Sequence, residues 1–488
     1  MKLHRLINAD KLGELILLVI LLISAIQVMA SWVEALHYPY ALDFGEGPLL
    51  NQAMLFNSGK IVYQLNLTEY PYILGNYPPL YTALIGLMSN IFGLNLPLGR
   101  SVTCISALLA VIFLALVIFS ISKDKFASAI GSLLMFTAPF FSYWSALFRV
   151  DLMALMFSLA GILVAVRWQR TWWSPLISAF FLIAAIFTRN TFVLAAPLAV
   201  TGWYFISERK KAVIFLAILG VGVLAAFEIL NLWTNGGFFT HTIAGNANRY
   251  STRQTFEFSL RFFYTVPLLL ALVIVELTTR LRTRHSSYLL LIIGYLIGSF
   301  SSALLVGKIG AGENYFIELL ASFCLFTGLV VARRRGFSHP SRNRVILMIL
   351  LSLQALWLMN FTRFYINNID ALIKQKPEMD ELALIVSNEP APVLADEHTE
   401  LIVLANKELL LQTFEFTQLA IQGDWDQGQV VKYIYNRRFG LILINDQPPF
   451  FNKTIAQNRW TTEMWSAIQT AYQPGEILAS TTVFRPRK

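Results

Sequence analysis

Long apolar runs recur along this chain, and they constrain its fold more than any other feature. The first covers residues 12–32, and runs of similar character follow as far as residue 361. Of the 488 residues, 56% are hydrophobic and only 14% are charged, whereas a soluble protein carries about 25% charged residues. Because a helix needs about 20 apolar residues to cross a bilayer, we predict a polytopic α-helical membrane protein.

The apolar pattern predicts eleven spans. They lie at 12–32, 99–122, 126–143, 151–167, 174–188, 191–206, 212–230, 260–277, 288–306, 316–332 and 345–361. The segment "YPPLYTALIGLMSNIFG", residues 77–93, is a further candidate, but it is short and begins close to two prolines. We interpret it as a helix at the outer interface, with its apolar face toward the lipid.

The basic residues are concentrated in alternate loops. These loops are the N-terminus and 123–125, 167–170, 207–211, 278–287 and 333–344. By the positive-inside rule, the N-terminus is inside and the C-terminus is outside. The first apolar run follows a basic N-terminus and, at about 20 residues, is long for a cleaved signal, so we interpret it as a retained anchor. The same placement of the basic residues argues against a nucleic-acid partner, despite a net charge of +9. We predict a multi-pass plasma-membrane protein, typically of a bacterial inner membrane, with its active site on the periplasmic face.

Residues 362–488 differ from the rest because they are more polar and contain no spanning run. The stretches "PVLAD" (392–396) and "GLILIND" (440–446) are typical of short buried strands, with helical patterns around them. We therefore predict a membrane module, 1–361, followed by a small extracytoplasmic α/β domain in which these two strands are central. Cys104 and Cys324 lie within predicted spans and are expected to pack there.

Two acids, Asp43 and Glu46, follow the first span by about ten residues, in "ALDFGEGPLL". The alternative for this pair is structural, because the spacing also suits a helix capping box. Further polar and aromatic residues occupy the other outer segments: Tyr77, Tyr81, Arg149, His241, Arg249, Lys308, Glu313, Asn314 and Tyr315. Since an ionisable residue near a span indicates a functional site, we hypothesise that these segments form one site together.

In these segments the sequence resembles the GT-C membrane glycosyltransferases, specifically the group with bacterial lipid A aminoarabinose transferases and protein O-mannosyltransferases. The resemblance covers most of residues 12–361 and rests on Asp43, "SGK", "YPPLY", "RVDLMALMFSLAG", "TRNTFVLAAPLAV" and "GAGENYF", in that order. Members move a sugar from a polyprenyl-phosphate carrier to an acceptor outside the cytoplasm. Two features depart from it: the acidic pair common among relatives is split here as "DFGE", and Asn76 and Tyr77 replace an acid and a lysine of the aminoarabinose branch.

The resemblance implies a sugar transfer in which Asp43 is the general base. Glu46 is then a second acid, either a metal ligand or an acceptor contact. Lys308 and Arg249, with Arg149 behind them, are expected to bind the phosphate. The alternative for Arg149 is a pair with Asp151 at a helix start.

The remaining candidates have less specific roles. Glu313, Asn314 and Tyr315 are expected to line the site with Tyr77 and Tyr81. His241 would contact the sugar or, with Glu46, bind a divalent metal, and no other cofactor is implied. Arg189, in "FTRNTF", is expected only to close a short hairpin between two spans.

The expected partners are a polyprenyl-phosphate sugar donor, an acceptor that is a lipid, a glycan or a protein, and the surrounding membrane lipids. The main alternative is a carrier or flippase that binds a lipid-linked saccharide without chemistry. Transporters often show internal repeats and mid-span charges, but this sequence shows no repeat, and its ionisable residues cluster in the outer segments. A channel is disfavoured because the sequence has no filter motif.

Overall fold

The computed structural model describes residues 2–283, 288–336, 342–445 and 459–488 of the chain. Most of these residues are helical. The α-helices are α1 (Lys2–His37), α2 (Glu46–Asn57), α3 (Leu80–Phe92), α4 (Leu96–Ser122), α5 (Lys125–Thr137), α6 (Pro139–Ser145), α7 (Asp151–Arg167), α8 (Ser174–Thr188), α9 (Ala195–Ser207), α10 (Arg209–Trp233), α11 (Gly237–Phe239), α12 (Thr252–Thr265), α13 (Pro267–Thr283), α14 (Leu289–Ala303), α15 (Ile317–Arg335), α16 (Arg342–Lys374), α17 (Lys376–Asn388), α18 (Thr399–Leu404), α19 (Thr413–Gln422), α20 (Gly428–Tyr435) and α21 (Thr462–Ala471).

The apolar helices make the chain an integral membrane protein. Within the described residues, 7 helical segments are long and apolar enough to cross a membrane, or up to 9 if each of two bent pairs is one span. The predicted spans at 151–167 and 174–188 correspond to α7 and α8, which have 17 and 15 residues. The exact number of spans and their orientation remain predictions.

Two of the predicted spans are wrong in shape, because each covers a sharp bend. The axes of α5 and α6 differ by 66°, and those of α12 and α13 differ by 86°. In both cases the second helix begins at a proline, Pro139 or Pro267. Proline lacks an N–H and obstructs the preceding turn, although it fits the first turn of a new helix. The predicted spans 126–143 and 260–277 are therefore pairs of helices rather than single straight ones.

The core of the membrane part is built around α15, in which every residue from Ile317 to Val331 is buried. Around it, α1 packs on α16, α4 on α7, and α9 on α14. The α9–α14 contact is close because α14 has glycines there: a Cβ on Gly294 would lie 2.7 Å from the Leu198 carbonyl oxygen. Small residues of this kind let membrane helices approach backbone to backbone. Cys104 and Cys324 are buried and free.

The first outer segment carries two short helices, α2 and α3, that pack on each other. The predicted interfacial helix corresponds to α3, whose 13 residues make a helix of about 20 Å. That is too short to cross a bilayer, and Leu87, Ile91 and Phe92 are exposed on it. Its position at the interface remains a prediction.

The C-terminal part contains one small mixed sheet. Its strands are β1 (Val393–Ala395), β2 (Leu441–Asn445), β3 (Tyr472–Leu478) and β4 (Thr481–Pro486), in the order β1-β2-β4-β3. β1 is parallel to β2, while the pairs β2–β4 and β3–β4 are antiparallel. Both predicted strands exist. The β3–β4 hairpin, which we did not predict, pairs with the far side of β2. As a result β2 is central, as predicted, whereas β1 is an edge strand. Helix α16 continues without a break past residue 361.

Candidate functional site

A cavity of about 210 Å³ lies at one end of the helix bundle. Its wall is formed by the connections after α1, α2, α6, α8, α11 and α14, by parts of the helices beside them, and by the C-terminal part. Residues from these segments in the wall include Asp43, Tyr77, Arg149, Arg189, Asn246, Lys308, Asn314 and Glu415. Because successive spans reverse direction, these connections all lie at the same end, which is the end that the charge pattern predicts to be outside.

Asp43 and Arg149 form an ion pair in the cavity wall. Arg149 Nη1 lies 3.1 Å from Asp43 Oδ2, and the Gly45 backbone N–H donates to the same oxygen at 3.0 Å. The Arg149 guanidinium also packs over the Trp144 ring, 4.9 Å from its centroid, and donates to the Tyr77 hydroxyl at 3.4 Å. The Asp43 side chain remains 23% exposed, so a molecule in the cavity can reach its carboxylate.

The segment between the two acids is shaped by Gly45. A Cβ on this residue would collide with the Arg149 guanidinium, so the approach of Arg149 to Asp43 requires glycine here. Helix α2 begins directly afterwards, with Gly45 at its N-cap and no side-chain cap. The capping-box alternative for Asp43 and Glu46 is therefore wrong.

Glu46 does not face the cavity, although it lies three residues from Asp43. Its two oxygens bind the Arg100 guanidinium at 2.9 and 2.6 Å, and they accept the backbone N–H groups of Leu42 and Phe148 at 2.7 and 2.6 Å. Both side chains of the pair are fully buried. Glu46 thus connects the Asp43 segment to α4 and to the turn after α6, and it is not in the cavity wall.

Lys308 and Arg189 form a cationic corner of the cavity. Lys308 Nζ donates to the Asn246 backbone carbonyl at 2.8 Å and to the Asn246 side chain, and within the described part of the chain no carboxylate forms a salt bridge with it. Burial, with a smaller contribution from the Arg189 charge, lowers the pKa of Lys308 to about 8. Arg189 pairs with the buried Asp151 and lies 4.4 Å from the centroid of the Tyr315 ring.

This pairing corrects two expectations. Arg189 lines the cavity, so it does more than close a hairpin. Asp151 pairs with Arg189 rather than with Arg149, so the alternative of an Arg149–Asp151 pair is wrong. Asn314 supports the arrangement, because its amide donates to Asp151 Oδ1 at 3.0 Å.

The segment 313–315 lies in the cavity wall. Glu313 there binds Arg261 of α12 at 2.6 Å and accepts a hydrogen bond from the Tyr365 hydroxyl at 3.0 Å. Tyr77 is in the wall as well, whereas Tyr81 is buried beneath it and donates to the Gly99 carbonyl at 2.9 Å. Tyr81 therefore has a packing role.

Arg249 and His241 lie apart from the cavity. Arg249 is on the surface and donates to the Ile421 carbonyl at 3.1 Å, so the structure does not bring it to the cationic corner. His241 is buried, and its Nδ1 accepts the Gly75 backbone N–H at 2.9 Å. Its Nε2 must then carry the proton, which it donates to the Gln64 carbonyl at 2.6 Å. Burial lowers the pKa of His241 to about 4, so the imidazole is neutral.

The candidate metal ligands do not fit a metal. Both nitrogens of His241 are used in hydrogen bonds, and both oxygens of Glu46 are bound by Arg100. A protein zinc site needs three or four N, S or O ligands that converge. In the described ranges no group of three or more His, Cys, Asp or Glu side chains is placed to hold an ion. We derive no catalytic step through a metal.

The C-terminal part contributes three residues to the wall that the sequence analysis missed: Phe414, Glu415 and Arg459. Glu415 Oε1 accepts a hydrogen bond from the Asn76 amide at 3.1 Å. Arg459 pairs with Glu397 and lies over the Phe44 ring, 4.8 Å from its centroid. No local pattern marks these residues, because they reach the site only through the folding of a separate segment onto the membrane part.

Several wall residues have buried polar atoms without any protein partner. These atoms are Gln52 Oε1, Asn76 Oδ1, Trp144 Nε1, Arg149 Nε, Arg189 Nε, Asn314 Oδ1, Glu415 Oε2 and Arg459 Nε. More than 90% of buried polar groups in proteins are hydrogen-bonded, so exceptions concentrated in one cavity need an explanation. A polar ligand that supplies both donors and acceptors would satisfy them.

Two solved structures match nearly the whole chain. The chain is similar to the crystal structures of ArnT from Cupriavidus metallidurans in the apo state and bound to undecaprenyl phosphate, with TM-scores of 0.63 and 0.62. In both, the identity is 13%, over 95% of this chain and 97% of that chain.

A third match is the archaeal oligosaccharyltransferase AglB from Archaeoglobus fulgidus, in complex with an inhibitory peptide and a dolichol-phosphate. Its TM-score is 0.56 at 14% identity, over 88% of this chain and 69% of that one. No protein-family model and no curated protein matches the sequence. The three structures show the fold: the chain has the GT-C fold, as the sequence resemblance implied.

Proposed function

We propose that this protein is a glycosyltransferase that moves a sugar from a polyprenyl-phosphate donor to an acceptor at the outer face of the membrane. The observation that carries the proposal is the cavity itself. It combines one accessible carboxylate, Asp43, with Arg149, Arg189 and Lys308, at one end of a bundle of apolar helices. The similar structures with undecaprenyl phosphate and dolichol-phosphate support a lipid phosphate as the ligand.

Asp43 is the general base in this proposal. The acceptor hydroxyl oxygen attacks the anomeric carbon of the sugar, the bond from that carbon to the phosphate oxygen breaks, and the lipid phosphate leaves with the electron pair. Asp43 takes the hydroxyl proton as the new bond forms. A single displacement inverts the anomeric centre and needs one carboxylate, unlike the two-carboxylate scheme of retaining glycosidases. Glu46 is then required to position the loop and has no chemical step.

The leaving phosphate binds at the cationic corner. Charge develops on this phosphate as the bond breaks, and fixed positive groups stabilise such charge most in a site that excludes water. Lys308 forms no salt bridge within the described residues, and Arg189 has one counter-ion, Asp151. Arg149, already paired with Asp43, keeps the base in place beside the phosphate. The polyprenyl tail would extend into the bilayer.

The proposal includes a location and leaves the acceptor class open. The charge pattern orients the N-terminus inside, so the cavity and the C-terminal domain lie on the outer side, which is the periplasm in a bacterium. The acceptor is a lipid, a glycan or a protein. A carrier of lipid-linked saccharides would share the lipid-binding surface, but it has no need of an accessible base beside the phosphate corner.

The test uses the full-length protein in lipid nanodiscs. Binding of undecaprenyl phosphate is measured first, and then transfer of label from an undecaprenyl-phosphate [14C]sugar to material in a total membrane extract. We expect the wild type to bind the lipid and transfer the label, and the Asp43→Asn variant to bind but not transfer. Asp424→Asn makes the same chemical change at an exposed position and should behave as the wild type. Binding without any transfer, across donors with different sugars, would favour the carrier instead.

A further inference from the structure

One wall of the cavity is a continuous series of hydrogen bonds that ends on the C-terminal domain. Lys308 donates to Asn246, the Asn246 amide donates to the Asn76 backbone carbonyl at 3.1 Å, and the Asn76 amide donates to Glu415 Oε1 at 3.1 Å. We call these four residues the polar wall. It connects the proposed phosphate corner to a carboxyl group that the proposed reaction does not use.

The far end of the polar wall has unused hydrogen-bonding capacity. Glu415 is only 7% exposed, and its Oε2 has no partner. Asn76 Oδ1 is also buried without a partner. Leaving such an atom unsatisfied in the interior is costly, and a carboxyl and an amide oxygen together accept several hydrogen bonds. Burial raises the pKa of Glu415, while the Asn76 hydrogen bond and the Arg459 charge oppose the shift.

An aromatic face lies beside this end of the wall. Phe414 precedes Glu415 and approaches Phe44 edge to face, with ring centroids 6.2 Å apart. Both rings line the cavity. A ligand held there meets apolar rings on one side and hydrogen-bonding oxygens on the other. Sugar rings have this dual character, because their C–H groups are apolar and their hydroxyl groups donate and accept hydrogen bonds.

We propose that Glu415 and Asn76 bind hydroxyl groups of the donor sugar, so that the C-terminal domain completes the donor site and determines which sugar is accepted. This inference rests on the proposed function. If the phosphate lies at Lys308, the sugar bonded to it must lie within a few ångströms, along the polar wall. The acceptor hydroxyl must instead approach from Asp43, which takes its proton. Glu415 is a specificity-determining residue in this proposal, with no part in proton transfer.

The experiment compares a sugar-bearing lipid with the bare lipid phosphate. Affinities of wild type, Glu415→Ala and Glu415→Gln in nanodiscs are measured for undecaprenyl phosphate and for its glucosyl, mannosyl, arabinosyl and N-acetylglucosaminyl derivatives. Losing a hydrogen bond at a buried carboxyl typically reduces affinity roughly tenfold to a hundredfold. We expect Glu415→Ala to lose that factor for the preferred derivative and to bind bare undecaprenyl phosphate as the wild type does. Glu415→Gln, which keeps the size, should lose less and change the order of preference.

Two controls keep the result interpretable. Glu408→Ala removes an exposed carboxylate from the segment just before α19 and should change neither affinity. Unchanged binding of bare undecaprenyl phosphate by the Glu415 variants shows that they are folded, and Glu415→Gln covers the case in which the alanine variant is unstable.

Three outcomes would overturn the inference. In the first, Glu415→Ala and Glu415→Gln bind every sugar derivative as the wild type does. In the second, the variants change only the acceptor KM in a transfer assay, which would assign Glu415 to the acceptor. In the third, no derivative binds the wild type better than the bare lipid phosphate. If the wild type bound no polyprenyl phosphate at all, the proposed function itself would fail, and that result is distinguishable from the other three.

Discussion

The Arg100 guanidinium contacts both oxygens of Glu46, at 2.9 and 2.6 Å, and both side chains are fully buried. Arg100 also donates to the backbone carbonyls of Ala35, Tyr38 and Tyr40. These bonds fix the chain on either side of Asp43 from the end of α1 to the start of α2. The two acids of "DFGE" therefore have different roles, one exposed to the cavity and one structural.

Replacing Glu46 should destabilise the protein. Glu46→Ala would leave Arg100 buried and unpaired, and removal of one partner from a buried ion pair typically costs about 3–5 kcal/mol. We expect a lower melting temperature in detergent, measured by intrinsic fluorescence, and no recovery of activity on addition of Mg²⁺ or Mn²⁺. If divalent cations restored activity to Glu46→Gln, a metal role for Glu46 would have to be reinstated.

Replacing Asp43 should strongly lower turnover and leave the fold intact. Asp43→Asn keeps the shape of the side chain but removes its basicity, and loss of a general base typically lowers the rate about 10²–10⁴-fold. Donor affinity should change little. Single-turnover transfer and donor binding, measured on one preparation with Asp424→Asn as the control, separate the two effects. Wild-type turnover by Asp43→Asn would exclude this residue as the base.

Binding of undecaprenyl phosphate should weaken as the pH rises through 8. In the free protein the pKa of Lys308 is lowered to about 8, mainly by burial, so the ammonium is charged below that pH and neutral above it. The phosphate monoester has its second pKa near 6 and keeps its charge over this range. Affinity should fall roughly tenfold between pH 7 and pH 9.

The Lys308→Arg variant provides the comparison for this pH effect. Arginine stays protonated throughout the range, so the variant should show a flat affinity profile if it folds. A profile for the wild type that is equally flat would show that Lys308 does not contact the phosphate.

The Arg189–Asp151 pair offers a way to separate stability from binding. Arg189→Gln should lower both, because it leaves Asp151 buried without its counter-ion and removes a cation from the cavity. The double variant Arg189→Gln/Asp151→Asn should have a free energy of unfolding within about 1–2 kcal/mol of the wild-type value. It should still bind undecaprenyl phosphate weakly. Full recovery of binding in the double variant would restrict Arg189 to a structural role.

The C-terminal domain should be outside the cytoplasm. Alkaline phosphatase, which folds only where disulfides form, should be active when it is fused after Lys488. Green fluorescent protein fused at the same place should not fluoresce, because it does not fold after export by the general secretion route. The reverse pattern would invert the predicted topology and place the cavity at the cytoplasmic face.

The fold and part of the site could be predicted from the sequence because they depend on local patterns. Apolar runs of spanning length identified the helices, and the order of the outer segments identified Asp43, Arg149, Lys308 and Asn314, which all line one cavity. The bends at Pro139 and Pro267 were missed, because hydrophobicity alone continues across a proline.

The rest of the site depends on contacts between distant residues. Asp43 and Glu46 look equivalent along the chain, and only Arg100, which is 54 residues after Glu46, distinguishes them. Asn76 meets Glu415 across 339 residues, and no periodicity or spacing encodes such a contact. Residue type alone suits His241 to a sugar contact or a metal site, but both of its ring nitrogens are in hydrogen bonds with the backbone.

The 86° bend between α12 and α13 has a consequence for how a lipid would reach the cavity. Helix α12 turns aside from the bundle, presents Phe258 to the cavity, and exposes Phe256, Leu260 and Tyr264 on its other face. Under the proposed topology, α12 would separate the cavity from the hydrocarbon of the bilayer. A donor with a long lipid tail would then enter the cavity past α12 by lateral diffusion, without leaving its leaflet of the membrane. Occupancy would then follow the mole fraction of donor in the membrane rather than its concentration in water. Diluting the donor with inert lipid would slow the proposed transfer at constant total donor.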